Sequence, residues 1–563
     1  MKTKILKTNK FLSCNSCGNS RRSFFVNCYK YIEEAGVFSV FVVPEFFSTC
    51  RLAKVKALII AIIFFSTCSL SLFAQKKRND LYNSKKYLLE YLSDTNVIRQ
   101  FGLISDAIWN YAELGMQEFK SSALLIKTLE EDGFTIEKNV AGMPTCFVAT
   151  WGSGKPVIGI LGEYDALPMI SQKPLTSFQD PLVAGAPGHG CGHNMMGTAG
   201  VAAMIALKKT METYKIPGTI KFFGSPAEEN LISRPYMVQA GVFDDVDAVI
   251  DNHASSSFST SYGVSGTAMM SVIFSFKGQT AHSASSPWAG RSALDGVELM
   301  NVATNFLREH LFYTHRLHYV ITKGGEAPNV VPDKASVWYF IRNTDENLEA
   351  MYERVLDCAK GAAIASGTIL DTVTVLTAVH QRHSNKALAE AIQENIDLIG
   401  MPDWTEQEND FAKALQKELG REATGYPTKP EQLSKPPEIQ VGGGSTDVGD
   451  VTLVTPTTTI NFPGFVPGAI SHHWSTVTSN YGSTAWKGLN VGAKAISASA
   501  LDLLTKPKLL EEVRKEFEEY VKNRPYKSFL PQGVQPPFEL NKELMEKYRD
   551  AMMKMQVGIE LEN

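Results

Sequence analysis

Four short β-rich runs, separated by helical stretches, constrain the fold of this chain more than any other feature of its sequence. The runs cover Val157–Leu161, Thr219–Phe223, Ala248–Asp251 and Thr457–Asn461. Helical patterns before and between them cover 95–113, 121–132 and 198–210. Strands that alternate with helices favour a mostly parallel sheet with helices on both faces. The sequence therefore predicts a domain of the α/β class.

Residues 263–379 follow a different plan. The pattern predicts strands over 268–276, 317–322, 335–342 and 369–377, and helices over 290–309 and 345–365. This β-α-β-β-α-β order is that of a split βαβ, ferredoxin-like unit. Since 563 residues are too many for one ordinary domain, we predict that this unit is an α+β domain inserted into the first.

The insertion divides the first domain into 84–262 and 380–506. Residues 402–440 are rich in Lys, Glu, Pro and Gln and are predicted to form a surface excursion. The last segment, 507–563, is charged and then Pro-rich, which predicts a helix followed by an extended tail.

The apolar run ALIIAIIFF, residues 57–65, follows a basic stretch and fits a signal peptide over 51–74. The run is short for a membrane-spanning helix, which needs ~20 apolar residues; an uncleaved anchor and a lipoprotein signal at Cys68 are the alternatives. Because a signal peptide begins a chain, residues 1–50 are predicted not to belong to the native protein, and Val55 is a candidate start. We expect a secreted or periplasmic protein without stable membrane insertion after cleavage.

Charge and cysteine usage narrow the choice of partners. The chain has 55 basic and 59 acidic residues and a net charge of -4, which gives no reason to expect nucleic acid as a partner. Five of the eight cysteines lie in residues 1–74. Among them, Cys14-x-x-Cys17 lacks the second half of a zinc site. The other three, Cys146, Cys191 and Cys358, form no disulfide framework. A lone thiol in an oxidising compartment is explained if it binds a metal.

Side chains that suit metal binding follow each of the four β-rich runs. They are Glu163 and Asp165, Glu228 and Glu229, His253, and the pair His472 and His473. In open α/β sheets, ligands bind beyond the carboxyl ends of the strands. These residues, far apart in the sequence, are therefore predicted to converge on one edge of the sheet.

The segment GHGCGHN, residues 188–194, is the sharpest local signal. Its glycines free the backbone, so a loop can direct Cys191 and His193 towards one metal. A thiolate together with an imidazole suits zinc. The alternative is a buried cysteine beside a hydrogen-bonded histidine.

The adjacent carboxylates of Glu228 and Glu229 point in different directions and can divide two tasks. One can bind a metal while the other takes a proton from water whose pKa the metal lowers to ~7. Asp165 is predicted to orient a metal-binding imidazole. A solvated carboxylate pair and structural histidines are the alternatives, and the position of these residues after strands argues against them.

Seven strings make the chain resemble the M20 family of metallopeptidases and amidohydrolases, and within it the branch of aminobenzoyl-glutamate utilisation protein B. They are LGEYDALP (161–168), GHGCGHNMMG (188–197), SPAEEN (225–230), GQTAHSASSPWAGRSALDGVELMN (278–301), APNVVPDKA (327–335), GGGSTDVGDV (442–451) and HHW (472–474). The resemblance implies a zinc-exopeptidase-like α/β domain carrying a ferredoxin-like lid, through which subunits pair as a homodimer or heterodimer. It also implies two divalent ions, zinc or manganese, and hydrolysis of an amide bond of an N-acyl amino acid such as aminobenzoyl-glutamate.

The functional positions of the family fall on particular residues of this chain. The resemblance assigns metal binding to Cys191, His193, Glu229, His253 and His472. It makes Glu228 the general base, and it makes His282 a residue that binds substrate or stabilises the tetrahedral intermediate, often from the partner subunit. Asn329 and Arg342 are candidates for contacting substrate or shaping the lid interface, and an ordinary strand-end charge is the alternative for Arg342.

Two departures from the family pattern leave questions open. His472 has a second histidine beside it, and we assign the ligand to His472 because it keeps the two-residue spacing to Trp474. Glu163 stands where the family usually has the first histidine of an HxD motif. The sequence therefore does not decide whether Glu163 contacts a metal ion. A dipeptidase or carboxypeptidase of the same family is the nearest alternative function, and a non-catalytic metal-binding protein is the alternative of another class.

Overall fold

The computed structural model describes residues 81–435 and 443–558, and its strands form two main sheets and a two-stranded ribbon. The strands are β1 (Thr135–Lys138), β2 (Phe147–Ser153), β3 (Val157–Glu163), β4 (Gly218–Ser225), β5 (Ala248–Ser255), β6 (Ser259–Thr260), β7 (Gly263–Ser265), β8 (Ala268–Lys277), β9 (Arg316–Lys323), β10 (Lys334–Asn343), β11 (Ile369–Val379), β12 (Arg382–Ser384) and β13 (Thr457–Pro463). The four β-rich runs of the sequence are the cores of β3, β4, β5 and β13.

The larger sheet has seven strands in the order β1-β2-β4-β3-β5-β13-β6. Its four central strands, β4, β3, β5 and β13, run parallel, and β1, β2 and β6 pair antiparallel at the edges. The register sets Glu163 beside Ser225 and His253 beside Asn461. The carboxyl ends of the central strands therefore meet at one edge, and the predicted mixed, mostly parallel sheet is confirmed.

Helices cover both faces of this sheet. The described helices are α1 (81–93), α2 (Thr95–Tyr111), α3 (Phe119–Glu131), α4 (His193–Tyr214), α5 (Ser233–Gln239), α6 (Ala293–Glu309), α7 (Asp345–Ser366), α8 (Lys386–Ile399), α9 (Glu406–Glu418), α10 (Val448–Val451), α11 (Trp474–Val477), α12 (Gly482–Thr505), α13 (Pro507–Val521) and α14 (Lys542–Lys554). Every residue of β3 is buried, as expected for a parallel strand that is covered on both sides. Helices α4 and α12 pack on each other and on the central strands, and they contribute to the largest apolar core.

The smaller sheet has four antiparallel strands in the order β11-β8-β10-β9, with α6 and α7 packed on it. Buried and less buried residues alternate along β10, because only one face of an antiparallel sheet packs on its helices here. The six elements agree with the predicted ferredoxin-like order and lie within a few residues of the predicted positions. Both sheets belong to one compact unit that begins at Ser84, so the boundaries at 263 and 379 stay predictions.

Helix α9 lies inside the segment that the sequence predicts as a surface excursion. It begins with a capping box between Thr405 and Glu408. Ala412 and Leu415, three residues apart on one face of the helix, pack in a small apolar cluster with Trp474. A surface excursion can include a helix, and the sequence does not predict this one because a polar composition hid an apolar stripe at helical spacing.

The tail after α13 is extended only in part. Helix α14 follows the proline-containing stretch, and Met545 and Met552 are buried on one side of it. Just before the helix, Asn541 donates from Nδ2 to the carbonyl of Gly115 at 3.1 Å. The sequence prediction of an extended tail misses this helix, because the prolines dominate the composition of the segment.

The predicted signal peptide at 51–74 and the residues before it lie outside the described part of the chain. Among residues 81–435 and 443–558, no helix combines the length and the apolar character needed to cross a membrane.

Candidate metal centre

The carboxyl edge of the parallel strands collects the predicted ligands. Strand β3 ends at Glu163, with Asp165 two residues further on, and His253 lies near the end of β5. After β4, Glu228 and Glu229 open a short 3-10 turn. The convergence that the sequence predicts is thus seen in the positions of these side chains.

Gly192 places Cys191 and His193 on either side of the start of α4. Its φ is 80°, in the left-handed region, and a Cβ atom there would lie 2.6 Å from the Cβ of Ala254. Both facts require glycine at this position. The glycines of the sequence predict a loop for both side chains, whereas the structure holds only Cys191 in the loop and His193 in the first turn of the helix.

Three groups of three side chains bring their ligand atoms within 4.8 Å of one another among the described residues. They are Cys191, His193 and His253; Cys191, Glu229 and His472; and Glu163, His193 and Glu228. Cys191 belongs to the first two groups, so its sulfur lies between two candidate cation positions. The five side chains that the resemblance assigns to metal binding are therefore all present in these groups.

Asp165 holds the ring of His193 in one orientation. Its Nδ1 donates to Oδ1 of Asp165 at 2.8 Å, while Oδ2 of the same carboxylate accepts from the backbone N–H of Glu229 at 2.9 Å. Burial disfavours the charged ring, but Asp165 and the other acidic groups around it outweigh burial and raise the pKa of His193 well above its usual value. A metal ion would therefore replace the second ring proton, the one on Nε2. This atom has no hydrogen-bond partner among the described residues, and carboxylate oxygens of Glu163 and Glu228 lie 3.2 and 3.9 Å away. A lone pair that faces carboxylates is stabilised when a cation lies between them.

His253 has a matching orientation. Its Nδ1 donates to the carbonyl of Ala254 at 2.6 Å, which directs Nε2 towards the sulfur of Cys191 at 3.5 Å. Burial, with the nearby charge of His193, lowers the pKa of His253 to about 4, so the ring stays neutral. Burial and the charge of Glu229 raise the pKa of Cys191 to about 12. The thiolate therefore forms at neutral pH only if a cation stabilises it.

Carboxylates crowd the site beyond what its two cationic side chains can neutralise. The carboxylates are Glu163, Asp165, Glu228, Glu229, Asp251 and Asp447, and they surround His193 and Arg234. Burial raises the pKa of Glu229 to about 8, and that of Glu163 to about 7. Burial and the charges of Glu163 and Asp447 raise the pKa of Glu228 well above its usual value. Divalent cations would offset this repulsion.

The chemistry of this donor set fits divalent metal ions. A thiol, three imidazoles and several carboxylates are ligands that zinc binds. Buried atoms without hydrogen-bond partners among the described residues, Oε2 of Glu163, Nε2 of His193 and Oε1 of Glu229, belong to these groups.

Arg234 and Asp447 lie against the site, and the sequence does not predict this position for either of them. Arg234 is fully buried; its guanidinium forms ion pairs with Asp447 and, at 2.8 Å, with Oε1 of Glu163. Asp447 also accepts from the hydroxyl of Ser233 at 3.1 Å. The sequence does offer one indication for Arg234, which directly precedes the apolar stretch PYMV. An arginine that is buried with such a stretch needs a partner of opposite charge.

His472 and His473 have different roles. The Nε2 atom of His472 lies 3.4 Å from Oε2 of Glu229. His473 instead accepts at Nδ1 from the backbone N–H of Ser475, at the start of α11. Among the described residues, His472 belongs to one of the three ligand groups and His473 to none of them, and the assignment of the ligand to His472 stays a prediction.

A cavity of about 610 Å³ opens over the ligands, and Arg342 of β10 and Arg382 of β12 line it. His282 and Asn329 do not line this cavity; both are exposed on loops next to the smaller sheet, where the backbone carbonyl of Asn329 accepts from the backbone N–H of Ser283 at 3.1 Å. Their predicted substrate roles stay predictions. Arg382 has no role in the sequence analysis, since its segment carries no recognisable motif.

The sequence of this chain matches one protein-family model and is similar to known hydrolases. The model of peptidase family M20/M25/M40 matches residues 159–497. One of the subunits of the p-aminobenzoyl-glutamate hydrolase of Escherichia coli (strain K12) is 36% identical over 458 residues, which covers 77% of this chain and 95% of that protein. The Xaa-Arg dipeptidase of Mus musculus is 29% identical over 435 residues and covers 74% of this chain and 89% of its own length.

Two solved structures share the fold. An aminohydrolase from methicillin-resistant Staphylococcus aureus has a TM-score of 0.53 at 20% identity, covering 75% of this chain and 100% of its own. An aminobenzoyl-glutamate utilization protein from Klebsiella pneumoniae has a TM-score of 0.50 at 16% identity, covering 73% of this chain and 97% of its own.

Proposed function

Since the chain belongs to peptidase family M20/M25/M40 and is a metal-dependent hydrolase of amide or peptide bonds, we propose that it cleaves the amide bond of an N-acyl amino acid, with aminobenzoyl-glutamate as the representative substrate. The observation that carries the proposal is the convergence of five side chains, of which four line one cavity: Cys191, Glu229, His253 and His472, with His193 buried beside them. The second support is the similarity to the Escherichia coli hydrolase subunit over most of both chains.

Two divalent cations, zinc or manganese, would be held by the two groups that share Cys191. When bound, such ions lower the pKa of water and polarise a carbonyl group. Asp165 holds the His193 ring in the orientation that exposes Nε2, and it fixes the backbone of Glu229 at the same time. The protein thus sets both ligands in place before a cation binds.

Glu228 is the proposed general base. Glu228 is not one of the five assigned ligands, but it belongs to the ligand group of Glu163 and His193. Its Oε2 lies 3.9 Å from Nε2 of His193. A carboxylate with a raised pKa accepts a proton from water and then returns it to the leaving nitrogen. Burial, together with the charges of Glu163 and Asp447, raises the pKa of Glu228.

Metal analysis and a substrate panel test the proposal. The purified protein should contain divalent metal. Release of glutamate from aminobenzoyl-glutamate should stop on chelation and return when metal is restored. Glu228→Gln should retain metal but lower kcat by ~10²-fold or more. A fully active Glu228→Gln variant would reject the assigned base, and activity that survives complete metal removal would reject the mechanism.

A dipeptidase is the second candidate, because the Xaa-Arg dipeptidases of mouse and human are also similar to this chain. N-acetyl amino acids and dipeptides in the same panel separate the candidates. Faster cleavage of dipeptides than of N-acyl amino acids would favour this alternative.

The lid is proposed to pair with a second subunit. Leu299, Val302 and Phe306 of α6 are exposed, and so are Val320 and Ile321 of β9, which is an edge strand of its sheet. An exposed apolar face next to an open strand edge favours association.

The partner is a second copy of this chain or a different subunit, as in the Escherichia coli hydrolase, whose two differently named subunits are both similar to this chain. Pairing would bring the exposed His282 and Asn329 next to another molecule. Light scattering of the pure protein, and of Phe306→Glu, tests this: a protein that is monomeric at all concentrations would reject self-association.

Secretion through the signal peptide at 51–74 is a further proposal. It rests on the basic and apolar pattern of that segment alone. Amino-terminal sequencing of the native protein, together with cell fractionation, tests it, and a native chain that begins before residue 51 would reject it.

A further inference from the structure

Glu118 is a fully buried acidic residue at the start of α3, and it is not a member of the three ligand groups found among the described residues. It directly precedes the helix, yet its side chain makes no hydrogen bond with the N–H groups of the first turn. A buried carboxylate is unfavourable unless it has hydrogen-bond partners. The partners that Glu118 does have therefore indicate its role.

The two side-chain oxygens of Glu118 bind different segments of the chain. Oε1 accepts from the backbone N–H of Ala227 at 2.8 Å, and Oε2 accepts from the hydroxyl of Thr145 at 2.9 Å. The carbonyl of Thr145 accepts in turn from the hydroxyl of Tyr164 at 2.6 Å, and Tyr164 directly precedes Asp165. Glu118 therefore links the turn after β4 to the segment after β3.

The turn that presents Glu228 has a strained backbone. Ala227, just before Glu228, has a φ of 53°, and Leu231 at the other end of the turn has a φ of 57°. Residues with a side chain rarely adopt this left-handed conformation, and they keep it only where the surrounding structure holds them. The loop before α3 packs closely on the turn, since a Cβ atom on Gly115 would lie 2.9 Å from the Cβ of Ala227.

The backbone N–H groups on either side of Glu228 are held by two different carboxylates. Asp165 accepts from the N–H of Glu229 at 2.9 Å, and Glu118 accepts from the N–H of Ala227. Asp165 also accepts from the ring of His193, so both of its contacts are with assigned metal ligands. Among the described residues, Glu118 forms no hydrogen bond with an assigned ligand and instead holds the residue before Glu228.

We propose that Glu118 is a positioning residue for the reaction, which fixes the side chain of Glu228 through the backbone of Ala227. The proposal rests on the proposed function, in which Glu228 is the general base. Asp165 and Glu118 then divide two tasks, because Asp165 sets the metal affinity and Glu118 sets the rate of proton transfer. A shift of about 1 Å in a reacting group can lower the rate by about 10²-fold.

Glu118→Met tests the proposal, because methionine fills a similar space but offers no carboxylate to the N–H of Ala227. This buried N–H is then unsatisfied, which favours rearrangement of the turn that carries Glu228. We expect kcat for the best substrate of the panel to fall by about 10- to 100-fold. KM, and the zinc affinity measured in competition with a chelator, should stay within about twofold of the unaltered values.

Glu118→Gln is the conservative variant that should retain the rate. Its amide oxygen can accept from the N–H of Ala227, and its NH2 group can donate to the hydroxyl of Thr145, which accepts as well as donates. We therefore expect kcat within about threefold of that of the unaltered enzyme.

Glu113→Met is the matched control. Glu113 is also buried, and its Oε2 accepts from the backbone N–H groups of Lys120 and Ser121 at 3.0 and 2.9 Å. These bonds hold the start of α3 and not the turn that carries Glu228. Glu113→Met should lower the free energy of unfolding, as Glu118→Met does, and should leave kcat unchanged.

Three results would overturn the proposal while leaving the amidase function intact. These are an unchanged kcat in Glu118→Met, an equal fall of kcat in Glu113→Met, which indicates a structural effect common to both, and a loss of zinc affinity in Glu118→Met as large as in Asp165→Asn. An unaltered enzyme that cleaves no substrate of the panel would instead reject the proposed function, and this proposal with it.

Glu118→Asp keeps the proposal testable where Glu118→Met does not fold. Aspartate keeps the charge but is shorter by one methylene group, so its carboxylate is drawn away from the N–H of Ala227. We expect kcat to fall several-fold at constant KM, and a fully active Glu118→Asp would overturn the proposal.

Discussion

Asp165→Asn is the most direct test of how the site is organised. The two oxygens of Asp165 accept from Nδ1 of His193 at 2.8 Å and from the backbone N–H of Glu229 at 2.9 Å. An asparagine has almost the same shape but only one acceptor oxygen. One of the two donors must then face an NH2 group, so either the His193 ring or the Glu229 backbone loses its orientation.

The size of the effect follows from the bond that is lost. A hydrogen bond to a charged group contributes about 1.5–3 kcal/mol. Every 1.4 kcal/mol corresponds to about a tenfold change in an equilibrium constant, so the metal affinity should fall by about 10- to 100-fold. The same range is typical when a partner that orients a metal-binding histidine is removed.

The assay is a zinc titration in competition with a chromophoric chelator, on protein first stripped of metal. Asp247→Asn is the matched control, because Asp247 is also buried and accepts from the backbone N–H of Val157 at 2.7 Å, but at the start of β3. We expect Asp247→Asn to lower the free energy of unfolding and to leave zinc affinity unchanged. Zinc affinity of Asp165→Asn within about twofold of the unaltered protein would refute the reasoning.

Three further predictions address the ligand choice, the helix start and the pH dependence of stability. His472→Ala should lose bound metal on dialysis, whereas His473→Ala should retain it and lose only about 1 kcal/mol with the helix cap; metal content after dialysis decides, and the reverse result would assign the ligand to His473. Gly192→Ala should lower the melting temperature and the metal content together, because a left-handed residue with a side chain costs about 1–3 kcal/mol and Cys191 would shift; an unchanged metal content would contradict this. Burial raises the pKa of Asp106 to about 7, so the folded state holds this proton more tightly than the unfolded state, and the resulting stability is lost as the pH rises through about 7. Between about pH 5 and pH 8 the unfolding free energy should therefore fall more in the unaltered protein than in Asp106→Asn, by up to about 1.4 kcal/mol per pH unit, and equal slopes in urea denaturation would contradict the assignment.

The parts of the fold that follow from local patterns were predictable. The apolar runs of β3, β4, β5 and β13 are buried on both faces, so their sequences are almost free of charged residues and stand out from their surroundings. The lid elements were predictable for a related reason, because the alternation of β10 and the long helices give clear periods. Helix α9 was missed where its few buried side chains were outnumbered by charged ones.

The ligands of the site were predictable only as a set. Metal-binding side chains that follow parallel strands must meet, because the strands end at a common edge. Arg234, Asp447 and Arg382 were missed because their roles come from partners that are distant in the sequence, such as Glu163 for Arg234.

The sequence alone determined the order of the central parallel strands and of the elements around the smaller sheet, and it determined which kinds of ligand could gather at the sheet edge. Both follow from periodicity and from the rule that parallel strands share an end. Only the tertiary structure decided that Cys191 lies between two groups of ligands, that His472 faces Glu229 while His473 starts a helix, and that Arg342 and Arg382 line the same cavity. The physical reason is that hydrogen bonds and charge interactions act over a few ångströms in space, and a linear sequence does not encode those distances directly.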